Sequence, residues 1–150
     1  MERIASFTVD HNKLLPGLYY SRRDGDVVTF DLRFKRPNTG DLLSNAEMHS
    51  AEHLIATLLR NSADKEAVVY FGPMGCQTGF YAITLDIPTD EFCDILEQTF
   101  RDILAATEVP AANEKQCGWG ANHSLKGAQE AVEKMLAKRD EWGTIYTEQH

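Results

Sequence analysis

Val27-Val28-Thr29-Phe30-Asp31-Leu32-Arg33-Phe34 alternates polar and apolar side chains from Thr29 onward. A repeat of two is the period of a strand with one buried face. Phe30, Leu32 and Phe34 share the apolar face, Val27-Val28 extends the strand backwards, and Arg33 points the other way. Two further extended stretches, residues 67–71 and 80–85, flank Gly72-Pro73-Met74-Gly75-Cys76-Gln77-Thr78-Gly79. They read as a hairpin-like pair joined by an unusual, turn-rich loop.

Outward from these strands the period changes to that of helices. Phe92, Ile95, Leu96, Phe100, Ile103 and Leu104 recur at core-facing spacing after Thr89. Leu125, Ala128, Val132, Met135 and Leu136 make a second stripe, after the glycine-bearing Cys117-Gly118-Trp119-Gly120. A third helix spans roughly residues 44–60. The chain order is extended, extended, helix, extended, extended, helix, helix, without the regular alternation of a parallel doubly wound fold. The expectation is α+β, an antiparallel β-sheet covered by helices. The 150 residues suit a single catalytic domain, 1–150, with no repeat or linker to divide it.

Composition narrows the function classes. With 15 Lys and Arg against 23 Asp and Glu the formal charge is −8, and no basic stripe offers a surface to a nucleic-acid backbone. The three cysteines, Cys76, Cys93 and Cys117, are an odd number at unrelated spacings, which suits reduced thiols in a cytoplasm better than a disulfide framework. Met1-Glu2-Arg3-Ile4-Ala5-Ser6 has neither the basic nor the apolar region of a secretion signal. No apolar run approaches membrane-spanning length. A soluble cytoplasmic protein with neither nucleic-acid nor membrane partner is expected.

The helix near residues 44–60 carries the chemistry. Ser44-Asn45-Ala46-Glu47 has capping-box spacing and marks its start. At about 100° per residue, Met48, Ala51, Ile55, Leu58 and Leu59 share one face, and His49, Glu52 and His53 share another. One turn apart, the two imidazoles can converge on a cation, with Glu52 close enough to exchange a proton with metal-bound water or substrate. The alternative is a pair of surface histidines on a polar helix face.

A metal needs a third ligand, and Cys117 is the best candidate: its thiolate would complete a His₂Cys site with one position open. An ordinary loop thiol is the competing explanation. Cys76 lies between Gly75 and Gln77 in a loop where backbone can approach a ligand, and a nearby cation would lower its pKa and make it a base or nucleophile. A loop cysteine without function fits the spacing as well. Cys93 falls inside a packing helix and is assigned to the core.

With these pieces in place the chain resembles the S-ribosylhomocysteine lyase (LuxS) family. The blocks that carry the likeness are Ser6-Phe7-Thr8-Val9-Asp10-His11-Asn12, Phe30-Asp31-Leu32-Arg33-Phe34, His49-Ser50-Ala51-Glu52-His53, Gly72-Pro73-Met74-Gly75-Cys76-Gln77-Thr78-Gly79-Phe80-Tyr81 and Pro110-Ala111-Ala112-Asn113-Glu114-Lys115-Gln116-Cys117-Gly118. The resemblance implies cleavage of the thioether of S-ribosylhomocysteine to homocysteine and 4,5-dihydroxy-2,3-pentanedione, the autoinducer-2 precursor of quorum sensing. It implies His49, His53 and Cys117 as ligands of one divalent ion per subunit, natively Fe(2+) and replaceable by Zn(2+) or Co(2+). It also implies Glu52 and Cys76 as acid/base residues, Ser6, His11 and Arg33 as substrate-binding residues, and a homodimer with its sites at the interface. Lys35-Arg36 and Tyr70-Phe71-Gly72 depart from what many relatives carry, which bears on pocket polarity.

Two competing functions share the helix motif. His-x-x-Glu-His also resembles the inverzincin peptidases, which would require a carboxylate third ligand and a peptide cleft. A binding module stapled by a metal would require a closed site of four protein ligands.

Overall fold

The computed structural model describes residues 1–4, 7–62 and 64–142. Four strands, β1 (Gly17–Asp24), β2 (Val27–Arg33), β3 (Val68–Pro73) and β4 (Gly79–Leu85), form one antiparallel sheet in the order β1-β2-β4-β3. Gly25 at φ +63° supplies the left-handed residue of the tight β1–β2 turn. Three helices, α1 (Asn45–Arg60), α2 (Thr89–Leu104) and α3 (Leu125–Ala137), complete the expected α+β architecture.

The helices cover the face of the sheet that bears Leu18, Val28, Phe30, Leu32, Phe80 and Ala82, and the core forms between the layers with Ala51, Leu54, Ile55, Phe92, Leu96, Phe100 and Val132. Phe30 stacks on Phe92 with ring centroids 4.7 Å apart. Cys93 is buried in this core, and burial pushes its thiol up to about 11. Leu104, read as a core position, is 40% exposed, because α2 ends there and Ala105 caps it.

On β2 the alternation holds, with Arg33 opposite the apolar face as expected, yet Arg33 is only 1% exposed. Asp31, two residues back on the same face, accepts from Nε at 3.1 Å and from Nη2 at 2.6 Å. This bidentate pairing compensates the buried charge.

Beyond this ion pair, the same face of the sheet also carries an apolar patch. Ile4, Tyr70, Tyr81 and Ile83 line a shallow apolar depression there with Ser21, Arg22 and Thr29. A Cβ at Gly72 would collide with the Tyr70 phenol, so the Tyr70-Phe71-Gly72 departure is one packed unit. Among the described residues no helix is long and apolar enough to cross a membrane.

Candidate active site

The predicted capping box is formed: Glu47 N–H donates to Ser44 Oγ at 3.2 Å and Ser44 N–H to Glu47 Oε1 at 2.8 Å. It fixes the start of α1 and with it the phase of His49, Glu52 and His53. The segment between α2 and α3 folds over this helix. Cys117 N–H bonds Asn113 O at 3.0 Å, and Asn113 Oδ1 accepts from the amides of Lys115 and Gln116, each at 3.1 Å. A Cβ at Gly120 would strike the Asn113 backbone, so this loop can close tightly only with glycine there.

The loop brings Cys117 and His123 onto the α1 histidines. One donor atom from each of His49, His53, Cys117 and His123 lies within 4.8 Å of the other three. Cys117 Sγ is 3.2 Å from His49 Nε2 and 3.7 Å from His123 Nε2. Tetrahedral ligands on bonds of about 2.0–2.3 Å sit roughly 3.3–3.8 Å apart, so a divalent ion fits this donor set. Three imidazoles and one cysteine sulfur are donors that suit a transition-metal ion better than calcium or magnesium. Among the described residues no carboxylate belongs to the group, whereas a peptidase site of the inverzincin kind uses one as its third ligand.

Each α1 histidine is oriented by a backbone carbonyl: His49 Nδ1 lies 2.9 Å from Asn122 O, and His53 Nδ1 2.9 Å from Pro110 O. A carbonyl only accepts, so both Nδ1 atoms carry the proton and both Nε2 lone pairs are free for a cation. The third imidazole, His123, was not singled out in the sequence. Its only signal is a histidine six residues after Cys117 in the glycine-bearing loop. Burial and then the neighbouring His49 and His53 hold its pKa below the ordinary histidine value.

Glu52 is half-buried on α1 beside the two ligands, and its carboxylate has no hydrogen bond or ion pair among the described residues.

A second constellation surrounds Cys76. Arg33 Nη1 donates to Thr78 Oγ1 at 2.7 Å, and Thr78 Oγ1 lies 3.0 Å from Cys76 Sγ. Thr78 Oγ1 accepts from Arg33 and keeps its own proton available to a Cys76 thiolate. Arg33 Nη1 is itself 3.9 Å from Cys76 Sγ. Burial works to raise the Cys76 thiol, but the Thr78 hydroxyl and amide and the Arg33 charge together hold it below the ordinary thiol value. Gln77 adopts φ +63°, a strained conformation for a side-chain-bearing residue, and its Nε2 donates to Leu43 O at 3.2 Å, tying the loop to the start of α1.

His11, Arg33 and Cys76 line two adjoining cavities of about 310 and 360 Å³. Phe7 and Tyr81 wall the second, which therefore opens on the sheet face away from the helices. His11 Nδ1 donates to Val9 O at 2.9 Å, leaving Nε2 available. Neither cavity is lined by His49, His53, Cys117 or His123. Ser6, the remaining predicted substrate residue, lies outside the described residues.

The sequence as a whole agrees with this geometry. The family described as S-ribosylhomocysteinase (LuxS) matches residues 4–146. An S-ribosylhomocysteine lyase of Helicobacter acinonychis (strain Sheeba) is 46% identical over 149 residues, 95% of this chain and 93% of that protein. One from Listeria monocytogenes serotype 4a (strain HCC23) is 45% identical over 152 residues, covering 97% and 96%. One from Helicobacter pylori (strain Shi470) is 46% identical over 149 residues, covering 95% and 94%. With a cysteine sulfur joining two α1 imidazoles, a second, activated thiol beside a buried arginine, and likeness along nearly its whole length, this chain belongs to the S-ribosylhomocysteine lyase (LuxS) family.

Proposed function

We propose that this protein is a metal-dependent carbon–sulfur lyase that cleaves S-ribosylhomocysteine to homocysteine and 4,5-dihydroxy-2,3-pentanedione. The observation that carries the proposal is the convergence of His49, His53 and Cys117 beside the unpartnered Glu52, in a chain of this family. When bound, the ion, natively ferrous iron and exchangeable for zinc or cobalt, supplies Lewis acidity to the carbonyl and hydroxyl oxygens of the sugar.

The thioether carbon of the substrate has no acidic neighbour until the carbonyl is moved towards it. Cys76, as thiolate, and Glu52 take protons from carbons of the open sugar and return them to the adjacent positions. Two such exchanges carry the carbonyl two carbons along the chain with no net oxidation. A final proton abstraction beside the relocated ketone sends the electron pair into a new double bond and expels homocysteine as its thiolate. Arg33 and His11, with Ser6, bind and orient the polar groups of the substrate. The dione is the autoinducer-2 precursor, which places the reaction in both sulfur amino-acid recycling and quorum sensing.

The same proposal includes a homodimer whose sites combine two chains. The apolar sheet face with Tyr70, Tyr81 and Ile83 suits burial against a second copy better than exposure to water. The Arg33–Cys76–His11 cavities open on that face, while the histidine cluster belongs to the helix layer. Each Cys76 then works with the metal and Glu52 of the other chain, with Phe7 and His11 carried across the interface. Free thiols at all three cysteines suit a cytoplasmic setting.

The deciding experiment is anaerobic purification with metal analysis, followed by a free-thiol assay on S-ribosylhomocysteine. Homocysteine release, lost on metal removal and recovered with Fe(2+) or Co(2+), is expected. A metal-loaded protein that releases none refutes the proposal.

A further inference from the structure

Four protein donors around one point describe a closed, structural metal site, whereas a lyase needs a position left for substrate. The proton inventory around Ser50 resolves this conflict. Ser50 is fully buried in the middle of α1, and its Oγ has two partners among the described residues. Ser124 N–H donates to it at 2.7 Å, and His123 Nδ1 lies 3.0 Å away. Its hydroxyl does not bond back to the helix carbonyl one turn earlier, as that of Thr99 does to Ile95 O at 2.9 Å.

An amide N–H can only donate, so the Ser50 oxygen is an acceptor towards Ser124. Its own proton then has one acceptor within reach among the described residues, the Nδ1 of His123. Were the ring protonated at Nδ1 instead, the buried Ser50 proton would be left with nothing to bond, which native interiors avoid. His123 therefore carries its single proton on Nε2, the atom facing Cys117 Sγ at 3.7 Å. His49 and His53 have the opposite tautomer, fixed by carbonyls.

We propose that His123 is not a metal ligand but an N–H donor to the Cys117 sulfur, its tautomer set by Ser50, so that the fourth position of the metal stays open. The assignment rests on the reading of His49, His53 and Cys117 as a metal centre. A directional chain runs from Ser124 N–H through Ser50 and His123 to Cys117, where Trp119 N–H also points at 3.4 Å. Two N–H donors on a thiolate draw off its charge, moderating its donation to the metal and protecting it from alkylation and oxidation. His123 is thus a positioning residue for the ligand set, with Ser50 behind it.

The test uses the full-length protein loaded with cobalt(II), and with zinc for NMR. Long-range ¹H–¹⁵N spectra of the zinc form should show His123 protonated at Nε2 and His49 and His53 at Nδ1. A metal-shifted His123 Nε2 with the proton on Nδ1 would overturn the assignment. In His123→Ala, cobalt should still bind one per chain, about 10- to 100-fold more weakly as for other outer-sphere losses. Its ligand-field bands should stay in place while the thiolate-to-cobalt charge-transfer band moves to lower energy, and His123→Gln, which restores an N–H, should move that band back. Ser50→Ala should shift it the same way as His123→Ala. Ligand-field bands that change to those of a site with one fewer protein ligand would make His123 a ligand and refute the inference while leaving the metal centre intact. Wild-type protein that binds no cobalt through Cys117 would refute both.

Discussion

Thr78 Oγ1 stands 3.0 Å from Cys76 Sγ while accepting from Arg33 Nη1 at 2.7 Å, so a neutral hydroxyl relays the field of a buried arginine onto a thiol. Thr78→Val keeps the shape and removes the relay. The Cys76 pKa should rise, and iodoacetamide labelling of Cys76 at pH 7, read by peptide mass, should slow roughly three- to tenfold, since each pKa unit is tenfold in thiolate. Unchanged labelling would show that the arginine acts directly.

Burial holds the Cys93 thiol up to about 11, against about 8.5 in an unfolded chain. Between these values the unfolded chain has released a proton that the folded protein retains. The stabilisation is therefore complete below the unfolded value and is lost as pH rises towards the folded one. Urea midpoints should fall from pH 8 to pH 11. Cys93→Ala should start lower, having lost packing, but decline less steeply, and parallel declines would clear Cys93 of the effect.

Much of this was legible because local rules and tertiary demands coincide. The Ser44–Glu47 spacing fixed the start of α1, and therefore which face His49 and His53 share. The alternation on β2 placed Arg33 opposite the core, but not that it is buried. That burial depends on Asp31, Thr78 and a loop 43 residues away at Cys76, a relation with no periodic trace. His123 escaped notice for a similar reason: its place is set by a closed loop requiring Gly120, and by Ser50, which reads as one more polar residue between two histidines.

Three of the residues around the metal centre join α1 to the segment before α3, so an ion should act as a fold clamp. Binding to the folded state alone at 100 times the dissociation constant adds about 2.7 kcal/mol. For a chain of this size that is roughly 5–10 °C in Tm. Dipicolinate should lower the scanning-fluorimetry midpoint of the loaded protein by this amount, and His49→Ala should be insensitive to it. A wild-type protein equally indifferent to chelation would argue against the clamp.

The Glu52 carboxylate has no hydrogen bond or ion pair among the described residues, so it can be altered without disturbing the ligands. Glu52→Gln should keep one metal per chain and lose two or more orders of magnitude in homocysteine release, about the weight of general acid–base catalysis. Near-normal turnover would remove Glu52 from the proton path.

The assignment of Cys76 and Glu52 to one site across two chains has a separate test, because both variants fail for different reasons. In a mixed dimer of Cys76→Ala and Glu52→Gln chains, one interface site receives both substitutions and the other receives neither. If sites combine chains, equal mixtures that exchange subunits freely should recover about a quarter of the wild-type rate, half the dimers being mixed and half of their sites intact. If Cys76 and Glu52 serve the same chain's metal, every site in every dimer carries one defect and mixing recovers nothing. Exchange is checked by mass labelling of one partner, so an inactive but fully exchanged mixture places the whole site within a single chain.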